Sequence, residues 1–291
     1  ALQRQLSISA ADRCDRVARW ASVFTGTPFR YECRGLKLGQ NQVLARLTSF
    51  DCITYVYNVV ALAAAQSFSE FVLALASLRY RDFPATHPSN RRIVGSFFDY
   101  ACEAFLVNAP QCVALRDVTA DVALNGAITE CTIELSPLRR DWFNDPERSI
   151  VYPRFPRRKL RTCCLDTKRK RFIRPGTMRD GDIVLFTNVP SDASARILVK
   201  HAGIAMHVDG IPSMMHASRH YLCGSVGAAS AGGPVEEGWH PGVHHLCEFL
   251  GEHSLREIDG VKYYGYDAKK VRSLELYANE NFSGMKVLRL E

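Results

Sequence analysis

The sequence predicts an α+β fold, with an N-terminal helical half packed on an antiparallel sheet formed by later segments. Three observations point there. Apolar runs at helical spacing dominate the front third. Short runs of strand composition follow after about residue 112. "KHAGIAMHVDGIPSMMHAS" (Lys200–Ser218) then sets two apolar runs on either side of Asp209-Gly210, a strong two-residue hairpin signal. Helices first and strands later argue against alternating βαβ units.

Taken in order, "SAADRCDRVARWASVF" (Ser9–Phe24) carries apolar residues at helical spacing, with Ser9 or Asp12 as its cap. "GTPFRYECRGLKLG" is rich in turn residues. A greasy helix begins near Cys52, with Ser49 as the expected cap and Ile53, Val56, Tyr57, Val60 and Ala64 as the packed face. In Ser67–Asp82, Ser67 and Glu70 form a capping box. Gly95–Asn108 reads as a third helix or a mixed segment. "CVALRDVTA" and "CTIELSP" have strand composition, and Ile183–Thr187 is a strand entered through Asp180-Gly181. We therefore expect one domain over 1–291. It divides into a mainly helical half at 9–108, a variable insertion at 109–178, a sheet half at 179–230 and a C-terminal extension at 231–291.

Composition narrows the partners without naming one. The 291 residues are 47% hydrophobic, enough for a substantial core. No apolar run approaches the roughly 18 residues of a membrane span, and no signal peptide is visible. The net charge of +7 favours anionic partners such as nucleic acid, anionic lipid or wall polymers. Much of the excess lies in "RFPRRKLRTCCLDTKRKRFIRP" (Arg154–Pro175), expected as a solvated surface loop or, functionally, a polyanion-docking strip. Ten cysteines leave the redox compartment open. Cys223, His244, His245 and Cys247 can be drawn as a zinc set, but their spacing matches no ordinary ligand pattern.

The chemistry centres on "FDCITYVYNVVALA". A thiol at a helix start lies beside unpaired N–H groups and the positive end of the helix dipole, and both favour thiolate. Alone, such a cysteine is more often a small buried hydrophobe. The hairpin changes the balance. With Asp209-Gly210 as the turn, Val208 faces Ile211 and His216 lies opposite Gly203, so His201 and His216 share one face as diagonal neighbours. One imidazole then acts as base and the other orients it. His207 has the same parity but lies six residues along the strand, roughly 20 Å away at about 3.3 Å per residue.

The blocks "FDCITYVYNVVALA", "SLRYRD", "RDVTA", "RPGTMRDGDIVLFT" and "KHAGIAMHVDG…MMHAS" occur in that order. They resemble the N-acetylmuramoyl-L-alanine amidase-like branch of the NlpC-type cysteine peptidases, over about residues 25–230. That is a bacterial group with a papain-like fold acting on cell-wall peptides. The resemblance implies Cys52 as nucleophile, His201 as base and His216 as the orienting third residue, with no cofactor and no metal. Tyr31 matches one aromatic place of the segment before the nucleophile and is a candidate for substrate binding. Asp51 is a second candidate there, although a carboxylate in the first turn also caps a helix. Tyr57 stands where the branch usually carries Glu, and the "FPATHPSNRR" segment lacks its usual Arg-x-His pattern.

The implied function is cleavage of an amide in peptidoglycan stem peptides, in the periplasm or after secretion. An antibacterial effector with an immunity or inhibitor partner would look the same. Expected partners are peptidoglycan fragments or another anionic wall polymer, with no specific nucleic acid and no transmembrane segment. An acyltransferase or thioesterase on the same scaffold, and a non-enzymatic polyanion binder, are the rival readings.

Overall fold

The computed structural model describes residues 13–25, 27, 47–79, 113–135, 158–188, 198–217, 239–241, 247–249, 251–258, 261–271 and 273–291. The Gly95–Asn108 segment and Tyr31 lie outside these.

Among the described residues, three helices come first: α1 (Arg13–Val23), α2 (Cys52–Ala64) and α3 (Phe68–Arg79). The expected amphipathic stripe on α2 is too narrow. Every residue from Thr54 to Ala61 is buried, because α1 and α3 cover the sides that the sheet leaves open. Tyr57, at the position of the family's Glu, is 2% exposed. Ser67 starts α3 as expected: its hydroxyl accepts from Glu70 N at 3.2 Å, and the Glu70 carboxylate accepts from Gln66 N at 2.7 Å.

The remaining chain builds an antiparallel sheet of eight strands, and the molecule is α+β. In chain order its strands are β1 (Leu115–Asp117), β2 (Ile128–Leu135), β3 (Arg158–Asp166), β4 (Ile183–Asn188), β5 (Leu198–Val208), β6 (Ile211–Ala217), β8 (Cys247–Phe249) and β11 (Gly284–Leu290). The order across the sheet is β2-β3-β11-β4-β5-β6-β8, with β1 also paired to β11. β7 (Trp239–Pro241), β9 (Gly251–Ile258) and β10 (Val261–Val271) form a separate sheet of three strands, in the order β7-β10-β9.

Two sequence expectations need correction. "CVALRDVTA" is not one strand. After β1 the Asp117 carboxylate accepts from Thr119 N at 3.0 Å and turns the chain into the short helix α4 (Thr119–Val122). The basic stretch is not a loop throughout: β3 runs through its middle and pairs residue by residue with β2. Cys164 and Leu165 on β3 are fully buried, while Arg161 and Lys168–Arg171 stay exposed. The C-terminal extension, whose elements the sequence left unplaced, supplies part of the main sheet. Its last strand, β11, lies between β4 and β3 in the middle of the sheet, preceded by helix α5 (Leu274–Asn281).

Alternation along the strands divides the core into two layers. Ile183 and Leu185 of β4 pack under α1–α3, while Val184 and Phe186 pack on the other side with α4 and α5. Two buried cations tie β11 into this frame. Lys286 Nζ donates to Asp117 Oδ2 (2.6 Å), Thr162 Oγ1 (2.6 Å) and the Cys163 carbonyl (2.8 Å), which uses all three of its protons. Arg289 meets Asp182 through two parallel bonds of 2.7 Å, and Asp182 is fully buried.

Candidate active site

Cys52 opens α2, but the cap is Asp51 rather than Ser49, so Cys52 is the first helical residue and not the third. The reason is reciprocal bonding. Asp51 Oδ1 accepts from Ile53 N (3.2 Å), Thr54 N (2.8 Å) and the Thr54 hydroxyl (2.8 Å), while Thr54 Oγ1 accepts from Asp51 N (2.9 Å). This capping box fixes where the helix begins and which way the thiol leaves it. Asp51 is 5% exposed, and Oδ1 is committed to the helix start. The Cys52 thiol is unbridged and half-buried.

The histidines come from the β5–β6 hairpin, whose register follows the sequence reading. Asp209 and Gly210 both take positive φ (51° and 76°), the type I′ turn that matches strand twist. Val208 faces Ile211, and the pairing continues to Ile204 opposite Met215. Beyond that point Gly203 lies against His216. A Cβ there would come within 2.8 Å of the Met215 carbonyl and 2.9 Å of Met214 Sδ, so only glycine lets the strands close beside the histidine.

His201 Nε2 lies 2.7 Å from His216 Nδ1. His216 is 2% exposed, whereas His201 is half-buried. The two histidines expected from parity to be diagonal neighbours therefore meet in a direct hydrogen bond. Its direction depends on the tautomers of the two rings. For His201 to act as a base, its Nε2–H donates to His216 Nδ1, and its own Nδ1 carries the lone pair. His207 stands apart from the pair, with its Nδ1 and backbone N both 2.7 Å from Asp180 Oδ1.

α2 packs on β5 and β6, the two strands that carry the pair. Its middle turns rest on Ala202, Ile204, Met215 and Ala217. His201 is paired with Phe186 next to a shift in the β4–β5 register, at the beginning of the strand. Alternation turns its ring toward Phe186 and the α5 layer.

Sequence reasoning missed what surrounds the pair. Phe186 stacks on His201 at 6.0 Å between centroids, and Phe282 lies nearly parallel to it at 6.4 Å. Tyr277 of α5 meets His216 edge-to-face at 5.9 Å and His201 at 6.2 Å. Ser273, whose hydroxyl accepts from Leu276 N, is a readable cap for α5. No signal along the chain placed Tyr277 against residues sixty or more positions away. Of the drawn zinc set, Cys223, His244 and His245 lie outside the described residues, and Cys247 is described only as backbone in β8.

The α+β frame thus presents a helix-start thiol on α2 and a bonded histidine pair on β5 and β6. The model of the N-acetylmuramoyl-L-alanine amidase-like family matches residues 19–227, and the chain belongs to that family. The match takes in Cys52, His201 and His216. Among solved structures, an N-acetylmuramoyl-L-alanine amidase from Bacteroides uniformis superposes with a TM-score of 0.58 at 17% identity, covering 96% of this chain and 99% of that one. A candidate xylanase from Bacteroides fragilis gives 0.56 at 18% identity, covering 94% and 100%. A Legionella pneumophila protein gives 0.56 at 13%, covering 99% and 92%. At these identities the likeness shows a shared fold. No curated protein sequence matches the chain.

Proposed function

We propose that the protein is a cysteine amidohydrolase of the papain-like NlpC type that cleaves an amide bond in bacterial peptidoglycan stem peptides. The observation that carries the reading is the 2.7 Å bond between His201 Nε2 and His216 Nδ1, on strands packed under the helix that begins with Cys52. Membership of the amidase-like family supports the substrate class.

In this mechanism His201 Nδ1 takes the proton from Cys52 Sγ, and His216 accepts the bond from Nε2–H and so stabilises the imidazolium. The thiolate attacks the amide carbonyl carbon. The N–H groups of Ile53 and Thr54 serve Asp51, and the N–H of Cys52 at the helix start is proposed as an oxyanion donor. The tetrahedral adduct collapses, the C–N bond breaks, and His201 returns the proton to the leaving amine. Water then attacks the thioester, again through His201, and frees the carboxylate. The sulfur and Nδ1 must meet at the N-terminal end of β5, where the register shift lies. Tyr31 is proposed as a substrate-side hydroxyl and Asp51 as a residue beside bound substrate. The net charge of +7 suits an anionic wall, in the periplasm or outside the cell, and an effector role with an immunity partner fits the same chemistry.

The test is acid quenching during turnover of purified muropeptides, followed by peptide-resolved mass spectrometry. An acyl adduct should appear on the Cys52 peptide of the wild type and be missing from His201→Ala. An adduct on another cysteine, or turnover with no adduct on any, would exclude this assignment of the nucleophile.

A further inference from the structure

The family match stops at residue 227, yet part of the surface against the histidine pair comes from beyond it. We propose that Tyr277, backed by Phe282, is a positioning residue that holds the His201–His216 pair in its bonded arrangement. The proposal rests on the reading of His201 as the base.

α5 is anchored firmly enough to do this. Leu274 and Ala278 are fully buried. Glu275 Oε1 accepts from Phe172 N (2.7 Å) and Ile173 N (2.9 Å), and Asn279 Nδ2 donates to the Thr167 carbonyl (2.7 Å). Lys168 Nζ donates to the Asn279 carbonyl (2.8 Å), and Thr167 Oγ1 to the Phe282 carbonyl (2.6 Å). The connection between β3 and β4 therefore grips both ends of the helix and the residue after it. One turn inside that grip, Tyr277 meets both imidazoles, at 77° to His216 and 62° to His201. It also stands edge-on to Phe186 at 5.5 Å. Phe186 and Phe282 stack on each other at 4.8 Å, and both lie nearly parallel to His201.

Two consequences follow from this arrangement. The Tyr277 ring blocks rotation of His216 about its terminal torsion, which is otherwise soft, so Nδ1 stays aimed at His201. The aromatic surface also places ring electron density around a site where positive charge forms when His201 takes the thiol proton. Both effects favour the thiolate–imidazolium form. Among the described contacts, the titratable groups facing His201 are His216 from β6 and Tyr277 from α5, and β4 contributes Phe186.

The experiment is the pH dependence of Cys52 alkylation by iodoacetamide, read peptide by peptide, in the full-length wild type, Tyr277→Leu, Tyr277→Phe and His201→Ala. Tyr277→Leu keeps apolar bulk but removes the ring. It should move the rise in reactivity upward by about one pH unit, so that alkylation on the acid side slows about tenfold. Tyr277→Phe should restore the wild-type profile. If Tyr277→Leu melts at a markedly lower temperature, Phe282→Leu, which removes the ring parallel to His201, decides the matter with the same expectation. An unchanged profile in the folded leucine variant, alongside a changed one in His201→Ala, overturns the positioning role alone. Failure of Tyr277→Phe to restore the profile overturns it in favour of the hydroxyl. No effect of His201→Ala overturns both this proposal and the reading of His201 as base.

Discussion

His201 Nε2 and His216 Nδ1 lie 2.7 Å apart in a direct hydrogen bond, and the two residues come from neighbouring strands joined by a two-residue turn. One imidazole lies in the interior and the other is half-exposed, an asymmetry between the two.

That asymmetry sets the order of mutational effects. His201→Ala removes the base and should lower turnover of muropeptides by roughly 10²–10⁴-fold. His216→Ala leaves the base in place but unaimed, and the loss should be smaller and fall mainly on kcat. Steady-state kinetics on the two variants check the ranking. Equal losses would mean the pair acts as an inseparable unit.

The half-buried thiol on β3 should behave unlike Cys52. Burial pushes the Cys163 thiol up, and the nearby Lys286 charge offsets this only in part. Peptide-resolved alkylation at neutral pH should therefore label Cys163 more slowly than Cys52. The sign for stability follows from linkage. With the folded value above the unfolded one, the folded state holds this proton more tightly. The contribution is present below the ordinary thiol range and is lost as pH rises through the folded value. Urea melts of the wild type and Cys163→Ala across alkaline pH should converge accordingly.

Asp182 tests the frame rather than the chemistry. Asp182→Ala strands the Arg289 guanidinium, whose own pKa is raised by the bonds to this carboxylate. The substitution should cost about 3–5 kcal/mol in urea unfolding, the range for breaking one half of a buried pair.

What could be read along the chain was local. The Asp209-Gly210 turn sets the hairpin register, and register alone puts His201 and His216 on one face; the 2.7 Å bond is what that reading expects. The start of α2 was legible to within two residues, because Ser49 and Asp51 are both good caps and only the Asp51–Thr54 reciprocity chooses between them. What stayed hidden was long-range or masked by charge. β3 carries Arg158, Lys159 and Arg161 and so read as a solvated loop, although its pairing with β2 buries Cys164 and Leu165. β11 looks like any C-terminal tail until Lys286 finds Asp117 and Arg289 finds Asp182, both more than a hundred positions away. Tyr277 belongs to the same class: its neighbours are set by the fold and not by its own segment.

The central claim is that Cys52 Sγ attacks an amide of the bacterial wall. The most direct measurement is mass spectrometry of sacculi digested with the full-length protein, wild type beside a Cys52→Ala variant shown to be folded. The account predicts a defined amide cleavage product with the wild type and none with Cys52→Ala. The same product released by Cys52→Ala would contradict it.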